Sequence, residues 1–412
     1  MEVVDMSRRS WGGGSLYYDS HHDLWVGQMQ AGWNENGTRR RIRVTSRDKA
    51  TARKKLTDLR TQLEQGTWEQ RRTETLLAAW CDKWLESRDK EVRPATLAIE
   101  QSAVRDHIKP LLGHKRISSL RPSDLRALGD RVMDAGKAPA TAARYQAVLL
   151  HMLREAQRED IPVSASILAA KKQNPGRSNR QAIPLPDALK IIQAAAGIPG
   201  GVRWLLALLQ GLRQAEALGL TWDMVDLETC TVTIAWQLQA LPYLDKDDHT
   251  KGFRVPRGYE MRQLTGAFHL VRTKTLAGER VLPLTPWVAG ALSAWREQAP
   301  ENPWGLLFTT DTGQPVSRHS DRRSWISLQE AAGVQKPDGS LYVTHETRHT
   351  TATLLLAAGV EPEVIKAILG HSDIVTQATY QHVDMELART ALVKAQRLLT
   401  PTTSPSTSPS GK

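Results

Sequence analysis

The sequence predicts a multidomain protein: a small β-sheet-plus-helix segment first, an all-α segment next, and a mixed, mainly α segment with a small β-sheet last. Three observations predict it. The 412 residues exceed what one ordinary core holds. Apolar residues alternate at the start of a segment that ends near Gly66 and closes with a helical run, recur at helical spacing from about Glu74 to Ser164, and then mix both periods. Finally, the polar, basic run "KKQNPGRSNRQ", Lys171 to Gln181, separates the last two segments, being too poor in apolar residues to bury a core.

In the first segment, "GSLYYDSHHDLWVGQMQ" alternates around a polar turn and reads as a short hairpin. A third strand, "RRRIRV" (Arg39 to Val44), follows the turn "NENG". A helix is expected from about Lys49 to Gln65, with Ala52, Leu56, Leu59 and Leu63 at helical spacing. Between Arg39 and Lys55 stand nine Lys or Arg and a single acid, Asp48. A sheet backed by a helix therefore carries a basic face suited to phosphate, with Arg39, Arg40, Arg41, Arg43, Arg47 and Lys49 as candidate DNA-binding residues.

The second segment is helical throughout. Leu77, Trp80, Cys81, Trp84 and Leu85 form one stripe, and a second helix follows Pro94, a residue suited to a first turn. "RPSDLRALGDRVMDAG" predicts a third, ending at Gly136, and a fourth runs from about Ala140 to Arg158. Basic residues on the loops, including Arg93, Lys109, Lys115, Arg116 and Arg121, suit one jaw of a clamp; Arg93, Lys115 and Arg116 are further DNA-binding candidates. The third segment, about Ile183 to Gln396, has a helix through "VRWLLALLQG", an alternating strand "TCTVTIAW", a hairpin in "FHLVRTKTLAGERVLPL", and then helices. The last residues, "PTTSPSTSPSGK", are low-complexity and expected to be disordered.

Composition narrows the chemistry. A formal net charge of +11 favours a polyanionic partner, of which nucleic acid is the commonest. Only two cysteines, Cys81 and Cys230, exclude a disulfide framework and a cysteine-built zinc site; neither metal nor cofactor is expected. Neither a run of about 18 apolar residues nor a signal-peptide pattern is present, so the expectation is a protein working inside the cell, without a membrane.

Four stretches of the third segment carry candidate chemistry. "QGLRQAEALGLTW" places Arg213 between two helical runs with Glu216 at i+3, where a carboxylate can orient a guanidinium. "RTKTLAGERVLPL" places Lys274 near a strand end before the Ala277-Gly278 turn. "HETRHTTATLLLAAG" sets His345 and Arg348 on one helical face, with Leu354, Leu355 and Ala358 toward a core. "AILGHSDIVTQATYQHV" ends a helix at Gly370, puts His371 after it and Tyr380 nine residues on.

One reaction explains the set. A phosphodiester under attack gathers negative charge on its non-bridging oxygens, and two guanidiniums are shaped to hold them. An amine such as Lys274 protonates a departing 5′ oxygen, and His345 and His371 donate hydrogen bonds and move protons near neutral pH. Tyr380 is the candidate nucleophile; a phenol of pKa about 10 needs such cations around it. Each residue also has a dull reading: a core tyrosine, a solvated lysine, a helix-end histidine. Those readings must all hold at once to replace a single site, whereas for His349 and His382 packing is the better reading.

These motifs, in this order and spacing over most of Ile183 to Leu398, resemble the tyrosine recombinase family in its phage-type integrase branch. The resemblance implies that Arg213, Lys274, His345, Arg348 and His371 activate the phosphate, that Tyr380 attacks it, and that Glu216 supports them. It implies an arm-type DNA-binding domain (1–66), a helical core-binding domain (74–165), a basic linker (166–182), a catalytic domain (183–398) and a tail (399–412). Ala215, Ala217 and Thr347 depart from the family pattern at packing positions, and the segment from Gln239 to Thr265 is long for its place.

The expectation is thus a site-specific recombinase that integrates or excises a mobile element through a 3′-phosphotyrosyl intermediate. Its expected partners are double-stranded DNA at attachment sites, three further copies in a homotetramer, and an accessory directionality factor or host DNA-bending protein. The C-terminal stripe Leu387, Ala391, Leu392, Ala395 and Leu398 is expected to dock on a neighbouring subunit. The rivals are a type IB-like topoisomerase and a catalytically inactive DNA-binding regulator.

Overall fold

The computed structural model describes residues 14–33, 38–64, 75–176, 180–273, 278–370 and 385–399, without the side chains of residues 32, 33 and 40. The chain forms two compact units. One comprises residues 1–81, 108–128 and 146–172, the other residues 82–107, 129–145 and 173–412.

In the first unit, strands β1 (Ser15–Asp19), β2 (Leu24–Trp33) and β3 (Arg39–Ser46) pair antiparallel in that order, followed by helix α1 (Lys49–Glu64). Alternation sets the layering. Leu16, Met29, Ile42 and Val44 pack with Leu56 and Leu59 of α1, while Arg39, Arg41 and Arg43 are exposed. A Cβ on Gly27 would lie 2.8 Å from Val44 Cγ2 and 3.3 Å from Leu56 Cβ, so only glycine lets the helix sit this close. The expected helix-backed sheet is present, with a row of arginines on its other face.

Helices α2 (Leu77–Glu91), α3 (Pro94–Ser102), α4 (Lys109–Leu112), α5 (Pro122–Asp134), α6 (Pro139–Arg158) and α7 (Ala165–Leu168) follow, with a π-helical turn at Ala103–Ile108. Leu77, Trp80, Cys81, Leu112, Leu125, Leu149 and Met152 are buried in the first unit, where Trp80 Nε1 donates to Met152 O at 3.0 Å. In the second unit Trp84, Leu97, Val104 and Ala142 are buried. The segment assigned to the linker begins in structure, since α7 buries Ile167.

The second unit continues with α8 (Leu185–Ala196), α9 (Val202–Leu209) and α10 (Gln214–Leu218). Two three-stranded sheets come next, one ordering β4 (Val225–Asp226), β5 (Thr231–Ile234) and β9 (Arg280–Pro283), the other β6 (Trp236–Ala240), β8 (Phe268–Arg272) and β7 (Met261–Thr265). The helices α11 (Pro286–Arg296), α12 (Arg318–Ala332), α13 (Thr344–Ala357), α14 (Pro362–Leu369) and α15 (Met385–Arg397) complete it. Every residue of α9 is buried.

Two strands differ from expectation. The single strand expected at "TCTVTIAW" is two, β5 and β6, which part at Ala235, whose carbonyl accepts the Thr273 N–H at 3.2 Å. The expected β8–β9 hairpin does not form, because β8 pairs with β6 and β7 while β9 pairs with β5. The β7–β8 connection needs only the turn at Gly266 and Ala267, and this tight local closure takes the edge of β8 that β9 would have used.

The long segment after Gln239 owes its order to rings. Tyr243 stacks on His249 at 3.7 Å between centroids and on Phe253 at 4.8 Å, and Phe253 meets His269 edge-on at 4.2 Å. The guanidiniums of Arg262 and Arg272 lie over the Trp236 ring at 4.5 and 4.6 Å.

Helix α15 also differs from expectation. Ala388, Ala391, Leu392 and Ala395 are buried in the core of their own chain rather than held out for a neighbour. Leu399, assigned to the tail, is buried with them. Only Leu387 and Leu398 of the stripe face solvent, because a helix of this width buries one face and the two leucines lie at its rim.

Candidate active site

Two helix starts build the site by the same device. In α10 the Glu216 carboxylate turns back to accept the Arg213 N–H at 3.0 Å, and in α13 the Glu346 carboxylate accepts the Val343 N–H at 2.7 Å. A glutamate at the third helical position satisfies a backbone donor that the helix leaves unpaired. Both carboxylates are buried, and both take a cation as well. Glu346 receives Lys336 Nζ at 3.0 Å and the Gln181 N–H at 3.4 Å, and the Ile183 N–H donates to Thr350 Oγ1 at 2.8 Å. The entry to the segment is thereby pinned to the helix that bears His345 and Arg348.

Glu216 is the hub. Arg213 Nη1 donates to its Oε1 at 2.6 Å and Arg280 Nη2 to its Oε2 at 3.0 Å. Burial is the largest single influence on this carboxyl and pushes its pKa up, but Arg280 and then Arg213 together outweigh it, leaving the group below its ordinary value. It is therefore ionised at neutral pH.

Three arginines then hold three successive carbonyls at the end of α14. Arg280 Nε donates to Ile368 O at 2.9 Å, Arg348 Nη2 donates to Leu369 O, and Arg213 Nη2 donates to Gly370 O at 2.9 Å. Carbonyls in a helix's last turn lack intrahelical donors and sit at the negative end of its dipole, so cations suit them. Arg348 Nη1 also donates to Gly211 O at 2.7 Å. Gly211 has φ +63°, and a Cβ there would collide with Leu369 and Thr351. Burial first, then Arg213 and Arg280 beside it, push the Arg348 guanidinium down to about 9, against the pull of Glu216. It remains a cation at neutral pH.

His345 reaches solvent, and its ring meets His349 edge-on at 5.1 Å. Close packing and then the charges of His349, Arg180, Arg348 and Arg213 lower its pKa, which favours a neutral imidazole. Thr347, at a departure from the family pattern, is fully buried yet satisfied, its hydroxyl donating to Thr344 O at 2.7 Å.

The structure thus brings Arg213, Glu216, His345 and Arg348 into one site. Lys274, His371 and Tyr380 lie outside the described residues. Arg280 and Glu346 escaped the sequence reading. The signal for Arg280 was the strand period: Arg280 lies two residues from buried Leu282, on the inward face, while its neighbour Val281 is exposed.

The DNA-binding candidates divide. Arg39, Arg41, Arg43, Arg47 and Arg116 are exposed, and Arg40 lies on β3. Lys49 Nζ lies 4.6 Å over the Trp25 ring, and Lys115 pairs with Asp124 at 2.6 Å. Arg93 is committed to the main chain, donating to Arg272 O at 3.3 Å and Thr273 O at 3.0 Å.

The model of the "Phage integrase family" matches residues 185–386, and that of the "Phage integrase, N-terminal SAM-like domain" matches residues 76–132. An integrase of Saccharopolyspora erythraea is 24% identical over 418 residues, covering 91% of this chain and 94% of that protein. A tyrosine recombinase XerC of Mesorhizobium japonicum is 26% identical over 328 residues, covering 75% and 92%. Among solved structures, the Tn1549 transposon integrase in complex with transposon right end DNA superposes with TM-score 0.60 at 19% identity, covering 79% of this chain and 100% of that one. A lambda integrase tetramer bound to a Holliday junction gives 0.53 at 16%, covering 89% and 98%.

Proposed function

Given that this chain belongs to the phage integrase family of tyrosine recombinases, we propose that Arg213 and Arg348 hold the scissile phosphate of a DNA strand while Tyr380 attacks it. The chain is a site-specific recombinase that binds DNA and breaks and rejoins its strands. The Tyr380 oxygen loses its proton to solvent and forms a bond to phosphorus as the bond to the 5′ oxygen breaks, giving a 3′-phosphotyrosyl link. Lys274 supplies the proton that the 5′ oxygen takes up. A 5′ hydroxyl of the partner strand then attacks the link and releases the tyrosine, so the bond energy is conserved and nothing is consumed.

The observation that carries this assignment is Arg213, part exposed and anchored on the buried Glu216, with Arg348 buried behind it and released toward a phosphate only when an Nη leaves Gly211 O or Leu369 O. Forked guanidinium donors suit the developing charge of a phosphoryl transition state. His345 and His371 donate hydrogen bonds to the same phosphate. No metal or cofactor enters this scheme.

Residues 1–66 serve as the arm-type domain through the arginine face of β3, 74–165 as the core-binding domain, and 183–398 as the catalytic domain. Four copies assemble on attachment-site DNA to integrate or excise a mobile element, with an accessory directionality factor or a DNA-bending host protein setting direction. The work takes place on DNA in the cytoplasm of a bacterial host; among the described residues no helix is long and apolar enough to cross a membrane. Neither the topoisomerase nor the inactive regulator is favoured. The test is to incubate the protein with duplexes carrying the two ends of the element and to sequence the products. Recombinant junctions at one fixed position support the function, and cleavage and resealing of each duplex without exchange contradicts it.

A further inference from the structure

We propose that Arg280 is the positioning residue of this active site: it holds the Glu216 carboxylate and the end of α14 in one frame, and so fixes where Arg213 presents its guanidinium. The proposal rests on the recombinase reading and adds a residue to it. Arg280 itself spends its whole fork within the protein, Nε included. Its side chain is 7% exposed, and every nitrogen of its fork is engaged. Nη2 donates to Glu216 Oε2 at 3.0 Å. Nη1 donates to Gly278 O at 3.0 Å and approaches Glu216 Oε1 at 3.5 Å. Nε donates to Ile368 O at 2.9 Å.

Those partners sit on three different elements. Gly278 closes the connection that carries Lys274 and leads into β9, Glu216 is in α10, and Ile368 is in the last turn of α14, three residues before His371. Arg280 therefore ties together the segments that bear Lys274, Arg213 and His371. A lysine at the same place keeps the charge but offers one ammonium, which cannot reach three elements in the fixed geometry of a guanidinium.

Arg213, by contrast, is 35% exposed on its side chain and leans on the same carboxylate. With Arg280 gone, Glu216 keeps Arg213 as its one paired cation among the described residues, and the Arg213 guanidinium follows the carboxylate as it relaxes. A displacement of about 1 Å in a group that aims at the reacting atoms lowers a rate by as much as ~10²-fold. The loss falls on the chemical step, since the many phosphate contacts elsewhere set the affinity.

The test is single-turnover cleavage of a nicked suicide duplex carrying an end of the element, with wild type, Arg280→Lys, Arg280→Gln, Glu216→Gln and the double variant Arg280→Gln/Glu216→Gln. Each is measured at saturating enzyme, alongside affinity for the same duplex and thermal unfolding. The expected result is a cleavage rate about 10- to 100-fold lower in Arg280→Gln, with affinity within about threefold of wild type and partial recovery in Arg280→Lys. The double variant should be little slower than Glu216→Gln, because the two residues act as one unit. A rate for Arg280→Gln equal to wild type at saturation overturns the proposal. So do losses in the double variant that multiply, or a Lys variant that is folded yet no faster than Gln. Absence of adduct from wild type itself sinks the recombinase reading instead, which separates the two failures.

Discussion

Arg213 Nη1 meets Glu216 Oε1 at 2.6 Å, although the arginine side chain is 35% exposed and the glutamate is wholly buried. A charged group with one end in solvent is thereby anchored at the other end in the core. That combination lets a guanidinium face an incoming phosphate without wandering, and it makes Glu216 answerable to experiment through both stability and pH.

Replacing Glu216 by Gln leaves Arg280 buried without its counter-charge. Removing one partner of a buried pair costs about 3–5 kcal/mol, so urea denaturation of Glu216→Gln should show a stability lower by that order. The pH dependence has a definite sign. The folded carboxyl titrates below 4.5, so its contribution is complete above that pH and fades as acid carries the solution through the lower folded value. Wild type should therefore lose stability below pH 4.5 more steeply than Glu216→Gln; parallel acid profiles would contradict the assignment.

The imidazole of His345 is held below its ordinary 6.5 chiefly by burial and next by His349. Its neutral form belongs to the fold, so the associated stability is present above pH 6.5 and declines as pH falls through the folded value. In a histidine-labelled NMR titration its midpoint should lie below 6.5 and should rise in His349→Gln. A midpoint at or above 6.5 in wild type would contradict this.

The exposed arginines of β3 supply a separate handle. Arg41 and Arg43 stand opposite Gln30 and Gln28 of β2 on the sheet face away from α1. If each meets one phosphate, the double change Arg41→Gln/Arg43→Gln should lower the salt slope of binding to element-end DNA by about 0.9 per contact. An unchanged slope would remove this face from the interface.

Leu392 tests the placement of α15. It is 1% exposed inside the core of its own chain. Leu392→Ala should lower unfolding stability by about 2–5 kcal/mol in the dilute, DNA-free protein. Were the helix to dock only on a neighbour, that change would be silent in the monomer and would appear only in assembly on DNA.

Much of this was legible in the sequence for reasons that are local. Helical spacing alone put His345 and Arg348 on one face and Glu216 within reach of Arg213, and the density of Lys and Arg from Arg39 to Lys55 alone marked a basic face. The failures were non-local. Nothing within "FHLVRTKTLAGERVLPL" tells that β8 is claimed by β7, because strand partners are chosen across the sheet. For the same reason Arg280 read as an ordinary charge: its partners, Glu216 and Ile368, are 64 and 88 residues away. The apolar stripe of α15 showed that a face is buried but not which chain buries it.

The central claim is that Tyr380 becomes covalently joined to DNA. Its most direct measurement is denaturing electrophoresis of a nicked suicide duplex, labelled at the 5′ end of the cleaved strand and incubated with wild type and with Tyr380→Phe, followed by peptide mapping of any adduct. The phenol oxygen is the one atom that phosphoryl transfer requires of this side chain, so the phenylalanine variant should bind the duplex as wild type does and form no adduct. Wild type should give a slow-migrating band that maps to Tyr380. An adduct from Tyr380→Phe, or a wild-type adduct mapping to another residue, would contradict the account.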